Sequence, residues 1–159
     1  MGYRDMMDRL YNSLIRAGYR WGYRTLRVWW FLRRPHTQGA AVALWHEGRV
    51  LLLRTSYRDC YSLPGGFAKP GEPPERAAAR ELHEELGICM PPAGMRHAWN
   101  GTLRFESRTD TVSIWEVALE SRPDFCVKGR EVVWAGWLTP AEARKERLLP
   151  HLAAYLALK

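Results

Sequence analysis

Cysteine is scarce in this sequence. Cys60, Cys89 and Cys126 are the only three, and they lie too far apart for a disulfide framework or a zinc-ligand spacing. A reducing, cytoplasmic setting is therefore expected, with the thiols buried or incidental. Internal repeats and low-complexity tracts are missing, which excludes a solenoid and a linker-rich chain. The first 34 residues contain no apolar run longer than Val28 to Leu32, far short of the roughly 20 residues that span a bilayer. Arginines interrupt every candidate signal-peptide core there. Proline is absent from residues 4 to 33, and acid is sparse. Eight arginines stand against Asp5 and Asp8, so residues 1 to 34 hold six of the seven net positive charges.

What is present supports one globular unit with an extension. A chain of 159 residues, 47% of them hydrophobic, can bury a real core. Residues 4 to 33 read as an amphipathic helix, with Met7, Leu10, Tyr11, Leu14, Ile15, Gly18 and Gly22 recurring at three- and four-residue steps. Gly18 and Gly22 weaken it and predict a break nearby. Its tryptophans and arginines suit an anionic membrane surface, which would put the protein peripherally at the inner membrane face. The same stripe would equally pack on the main domain, or on a second copy as a homodimer. Nucleic acid is the weakest partner, because the arginines come without a recognisable binding fold. Pro35 divides an extension, residues 1–35, from a nearly neutral domain, residues 36–159.

Past Pro35, Gly39 to Trp45 and Arg49 to Arg54 form a predicted hairpin around His46-Glu47-Gly48. Alternating residues in Ala98–Ser107 and Thr111–Glu120 predict a second antiparallel pair turning at Arg108–Asp110. Glu131 to Leu138 reads as a further strand. Thr139-Pro140-Ala141-Glu142 is a capping box that starts a short helix, and Pro150 starts the last one. This order of strands and helices predicts an α/β fold with a mixed sheet between helices.

The stretch with most chemistry is Gly65 to Ile88, GGFAKPGEPPERAAARELHEELGI. Its first half is glycine- and proline-rich and predicts an irregular loop. Its second half, Glu75 to Leu86, predicts a helix ending at a left-handed Gly87 cap. Glu81, Glu84 and Glu85 share one helix face. Three carboxylates so placed repel each other unless neutralised, and a hard divalent cation takes oxygen ligands.

The spacing Gly66-x5-Glu72-x7-Arg80-Glu81-Leu82-x-Glu84-Glu85-x-Gly87-Ile88 fills every fixed position of the Nudix box, and the chain resembles the Nudix hydrolases from about Thr37 to Leu158. The resemblance implies an α/β/α sandwich. It also implies Mg²⁺-dependent hydrolysis (Mn²⁺ could substitute) of a nucleoside diphosphate linked to another moiety, releasing a nucleoside monophosphate. Glu81, Glu84, Glu85 and the Gly65 carbonyl would be metal ligands, with Glu131 as an additional late glutamate. Arg80 would orient Glu81, and Glu84 or Glu85 would be the base. Glu72 would tie loop to helix, while Leu82, Leu86 and Ile88 would be core and His83 an exposed helix residue. Arg54, Gly66 and Phe67 are the expected substrate contacts, Arg54 either as a phosphate ligand or as a solvated strand end. Tyr57, Tyr61, Phe67, Trp99, Phe105 and Trp134 are the candidate stacking groups for a base or sugar. The alternative is a regulatory Nudix module that binds nucleotide without cleaving it. An isoprenoid-diphosphate isomerase shares the fold but finds no suitable cysteine here.

Overall fold

In the computed structural model, residues 3–127 and 130–159 are described, with side chains omitted for residues 3–5, 8 and 9. Lys128 and Gly129, which the sequence puts in a loop between the second strand pair and Glu131, lie outside the described residues. A single helix α1, Tyr3–Arg33, leads into strands β1, His36–His46, and β2, Arg49–Thr55. Short strands β3, Tyr61–Ser62, and β4, Gly65–Phe67, precede helix α2, Pro74–Leu86. Strands β5, Arg96–Phe105, β6, Arg108–Ala118, and β7, Val132–Leu138, are followed by helices α3, Pro140–Ala143, and α4, Pro150–Leu156.

The strands join in one mixed sheet of order β3-β2-β1-β6-β5, with β4 beside β1 and β7 beside β2. β1 runs parallel to β6 from His36↔Thr109 to Trp45↔Ala118. Its pairing with β2 is confined to Trp45↔Val50 and His46↔Arg49. Past that hairpin the two strands part, and the lower half of β1 takes β4 instead, Gly39↔Phe67 to Ala41↔Gly65. Side chains alternate across the sheet, which divides the core in two. Val42, Leu44 and Leu51 pack with Ala78, Leu82 and Leu86 of α2. Ala43, Val50, Leu52 and Ile114 pack with Leu152, Tyr155 and Leu156 of α4. The result is the expected helix–sheet–helix sandwich.

Three expectations need correction. α1 does not break at Gly18 or Gly22. Each glycine costs a helix roughly 1 kcal/mol relative to alanine, but α1 is anchored further along, where Trp30 is 2% exposed. Tertiary packing of one face outweighs propensity. Second, Gly65–Phe67 is a strand rather than irregular loop, because glycine lets its backbone approach β1. A side chain on Gly65 would sit 2.4 Å from the Ala40 carbonyl oxygen. Third, Arg108–Asp110 opens β6 instead of forming the turn. The two-residue turn is Glu106–Ser107, both with positive φ, 49° and 64°. Such turns usually carry Asn or Gly, and neither stands at these two positions. Tyr61, one of the stacking candidates, pairs with Arg54 as part of β3. Among the described residues no helix is long and apolar enough to cross a membrane.

Candidate active site

The parting of β1 and β2 opens a cavity of about 700 Å³. Its floor is the glycine strand β4 and the acidic face of α2. Helix α2 starts at Pro74, whose missing N–H costs nothing in a first turn, and ends at Gly87 with φ 74° and an N–H donated to the His83 carbonyl. Burial of Ala77, Ala78, Leu82 and Leu86 fixes its rotation. Glu81 and Glu85 are thereby turned to the cavity wall, and Glu84 to a smaller adjoining cleft of about 200 Å³.

Arg80 is the organiser. Its Nε and Nη2 donate to Glu72 at 2.9 and 3.0 Å, its Nη1 to Glu81 at 2.7 Å and Glu84 at 3.2 Å, and its Nη2 also to the Phe67 carbonyl at 3.1 Å. Glu72 in turn accepts the Lys69 N–H at 2.8 Å. Hydrogen bonds from Arg80 and from that N–H hold the Glu72 carboxyl down to about 2. Loop and helix are thus clamped through one guanidinium, whose forked geometry suits paired carboxylates.

Glu85 accepts the Gly65 N–H at 2.9 Å. Burial pushes its carboxyl well above the ordinary range; that N–H opposes the rise, while Glu81, Glu131 and Glu84 add to it. Burial likewise raises Glu81, with Arg80 opposing. Gly66 lies against this group, and a Cβ there would meet the Glu81 carboxyl carbon at 2.6 Å. Glu131, on the residue before β7, joins from another element. Its Oε1 accepts the Tyr57 hydroxyl at 2.9 Å, and it lines both the cavity and the cleft.

Glu81, Glu84, Glu85 and Glu131 therefore share the cleft. Among the described residues no three of them form a ready-made cation cage. Each of the four uses one oxygen in the bonds above and keeps the second out of them. All-oxygen donors under mutual repulsion are the chemistry a hard divalent cation satisfies.

The other predicted positions divide. Phe67 lines the cavity, 42% exposed, with its ring edge-on to Trp30 at 6.2 Å. Of the stacking candidates, Tyr57, Phe67 and Phe105 line the cavity, whereas Tyr61, Trp99 and Trp134 do not. Tyr61 and Trp134 pack on each other, and Trp99 on His151. Arg54 also stands outside the cavity, its guanidinium 5.9 Å from the Tyr61 ring centroid. The strand pleat turns Arg54 away from the side that Thr55 presents. Leu82, Leu86 and Ile88 are buried as expected, and His83 is exposed, 3.3 Å from Cys89 Sγ.

Two cations that the motif did not flag line the cavity, Arg58 and Arg108. Arg58 Nε donates to the Tyr23 hydroxyl at 2.7 Å, and that hydroxyl donates to Glu106. Arg108 is 4% exposed. It pairs with Glu106 at 3.2 Å and Asp110 at 3.0 Å, and its guanidinium lies 3.9 Å over the Trp30 ring. Burial, with Arg58 opposing, pushes the Tyr23 hydroxyl up to about 12, so it stays a neutral donor. Tyr23 and Trp30 belong to α1. The one available signal was the apolar spacing of that helix, which carries no mark of what it packs against.

The NUDIX domain family model matches residues 35–158, and the chain belongs to that family. Within it, the chain is 30% identical over 105 residues to a MutT-like protein of Streptomyces ambofaciens, covering 65% of this chain and 63% of that one. It is 43% identical over 53 residues to a putative 8-oxo-dGTP diphosphatase of Bacillus subtilis (strain 168), covering 33% and 36%. The chain thus spans less than two thirds of the length of these curated relatives. A MutT NUDIX hydrolase structure from Burkholderia pseudomallei shares the fold, with a TM-score of 0.68 at 23% identity over 77% of this chain and 96% of that one. Helix α1 precedes the matched residues.

Proposed function

We propose that the protein is a divalent-metal-dependent hydrolase that cleaves the anhydride of a nucleoside diphosphate joined to a second moiety, releasing a nucleoside monophosphate. The supporting observation is the meeting of four carboxylates from two elements beside a glycine strand, where a nucleotide-sized cavity adjoins a smaller acidic cleft. Glu81, Glu84, Glu85 and Glu131, with the Gly65 carbonyl, would hold Mg²⁺ or Mn²⁺, which when bound supplies charge neutralisation and an acidified water. Arg80 keeps Glu81 and Glu84 in place, and Glu72 keeps Arg80 in place. Glu84 or Glu85 takes the proton of the attacking water. Gly66 admits the substrate close to Glu81, and Phe67 borders it. Residues 36–159 are the catalytic unit, to which residues 1–35 are an added extension.

A panel of nucleoside triphosphates, including 8-oxo-dGTP, with nucleotide sugars and dinucleotides tests this. Nucleoside monophosphate should appear with Mg²⁺ and cease with EDTA. Glu85→Gln should lower kcat by about 10² or more. Equal turnover by both proteins would remove the site, and tight binding without turnover across the panel would make the chain a binding module.

We also propose that the outer face of α1 rests on an anionic membrane surface. Leu10, Leu14, Trp21, Val28 and Leu32 recur along one exposed stripe. Arg16, Arg20, Arg24 and Arg27 form a neighbouring stripe by the same spacing. No acid follows Asp8 until Glu47, so two copies meeting through this face would oppose like charge. The full chain should sediment with phosphatidylglycerol vesicles at low salt and not with phosphatidylcholine vesicles, and Trp21→Ser with Leu32→Ser should release it. A salt-independent dimer lost in the same variant would replace the membrane with a second copy.

A further inference from the structure

The large cavity has a wall that the family match does not contain. Ile15, Gly18, Tyr19, Gly22, Tyr23 and Leu26 of α1 line it, all within one face at steps of one, three and four residues. We propose that α1 forms the wall of a nucleoside compartment, so that the N-terminal extension sets substrate selectivity. This rests on the hydrolase reading for its substrate class, though not for its geometry.

Three observations support it. Gly18 and Gly22 both face the cavity, and a Cβ at either would meet nothing within 4 Å. Close helix packing therefore does not explain them; they leave room. Next, two buried polar atoms of lining residues lack a hydrogen-bond partner among the described residues: Thr55 Oγ1, on a residue 7% exposed, and Arg108 Nε, on one 4% exposed. Buried donors are ordinarily satisfied, so such atoms call for an explanation. Last, the compartment is aromatic: Tyr23, Tyr57, Trp30, Phe67 and Phe105 surround it. A flat heterocycle with acceptor atoms meets these requirements together, offering a π-face to the rings and, once the Arg108 and Thr55 side chains turn toward the space, acceptors to both. A saturated chain would leave both polar atoms unpaired. The opposite end of the same space reaches Glu81, Glu85 and Glu131, where the diphosphate of such a ligand would lie.

The test uses the full chain with Gly18→Leu and Gly22→Leu. Leucine is the better helix former and has open space to enter, so both variants should fold with unchanged or higher Tm. Gly22→Ala provides a milder step. Binding of AMP, GMP, CMP and UMP is measured by calorimetry, and KM and kcat with the best substrate of the panel. The leucine variants should weaken monophosphate binding and raise KM about tenfold, with kcat falling by less than KM rises; alanine should fall between. Wild-type affinity and KM in both leucine variants would overturn the proposal and leave the hydrolase reading standing. Monophosphate binding that is lost in the variants, from a wild type that hydrolyses nothing, would sustain this proposal and end the other. A wild type that binds none of the four and hydrolyses no nucleotide would overturn both.

Discussion

Gly66 shows how much one missing methyl matters. Its absent Cβ would lie 2.6 Å from the Glu81 carboxyl carbon, well inside van der Waals contact, so alanine forces that carboxylate off the position Arg80 gives it. Gly66→Ala should lower kcat/KM by about a hundredfold, the scale of an ångström-sized misplacement of a reacting group. Thermal melting should change little, because the displaced group borders open cavity. Steady-state kinetics beside a melt checks the pairing of effects. Much at this scale was readable beforehand. Glu72, Arg80, Glu81, Glu84, Glu85 and Gly66 carry fixed spacings, and their hydrogen bonds are mostly local, within 20 residues. Arg54 stands outside the cavity, and the choice between phosphate ligand and strand end was open for the opposite reason. Proximity in sequence to a glycine loop says nothing about which face of a pleated strand a side chain takes.

Among the elements, the β5–β6 hairpin stands out for the residues at its tip. Ser107 holds φ 64°, a conformation that costs a non-glycine residue about 1–2 kcal/mol. Ser107→Gly should therefore stabilise the fold by roughly 1 kcal/mol, less the added freedom of glycine in the unfolded chain, seen as a higher urea midpoint with unchanged m value. A loss of stability would mean that the serine side chain contributes there. Helices α2 and α4 were legible because capping, proline placement and periodicity are local signals. The β4 strand was not, since its pairing with β1 depends on a partner more than 20 residues away. The continuity of α1 across two glycines was hidden for a similar reason, its anchoring contacts being long-range.

At the scale of the molecule, α1 is fastened to the domain through a polar cluster under the cavity rim. The Tyr23 hydroxyl accepts from Arg58 and donates to Glu106, and Arg108 completes the set. Tyr23→Phe leaves largely buried charged partners short of one bond each and should cost about 1–3 kcal/mol, measured by chemical denaturation. If the helix loosens as a unit, hydrogen exchange should quicken along residues 15–30 before it does in the sheet. An unchanged denaturation curve would mean that the ring contacts with Trp30 and Tyr57 suffice. The sandwich class followed from element order and the box, but the docking of α1 could not, because it joins groups 83 residues apart in sequence.

That separation has a consequence for biosynthesis. A ribosome adding roughly 5–20 residues per second makes Tyr23 some 4–17 s before Glu106 exists. During that interval the outer apolar stripe of the nascent α1 is exposed, and its cavity face meets Tyr57, Arg58 and Phe67 but not yet the acid that completes its polar anchor. The helix thus waits on a partner made well after it, and its aromatic face is a part of the newborn chain that a chaperone or a lipid surface would shield.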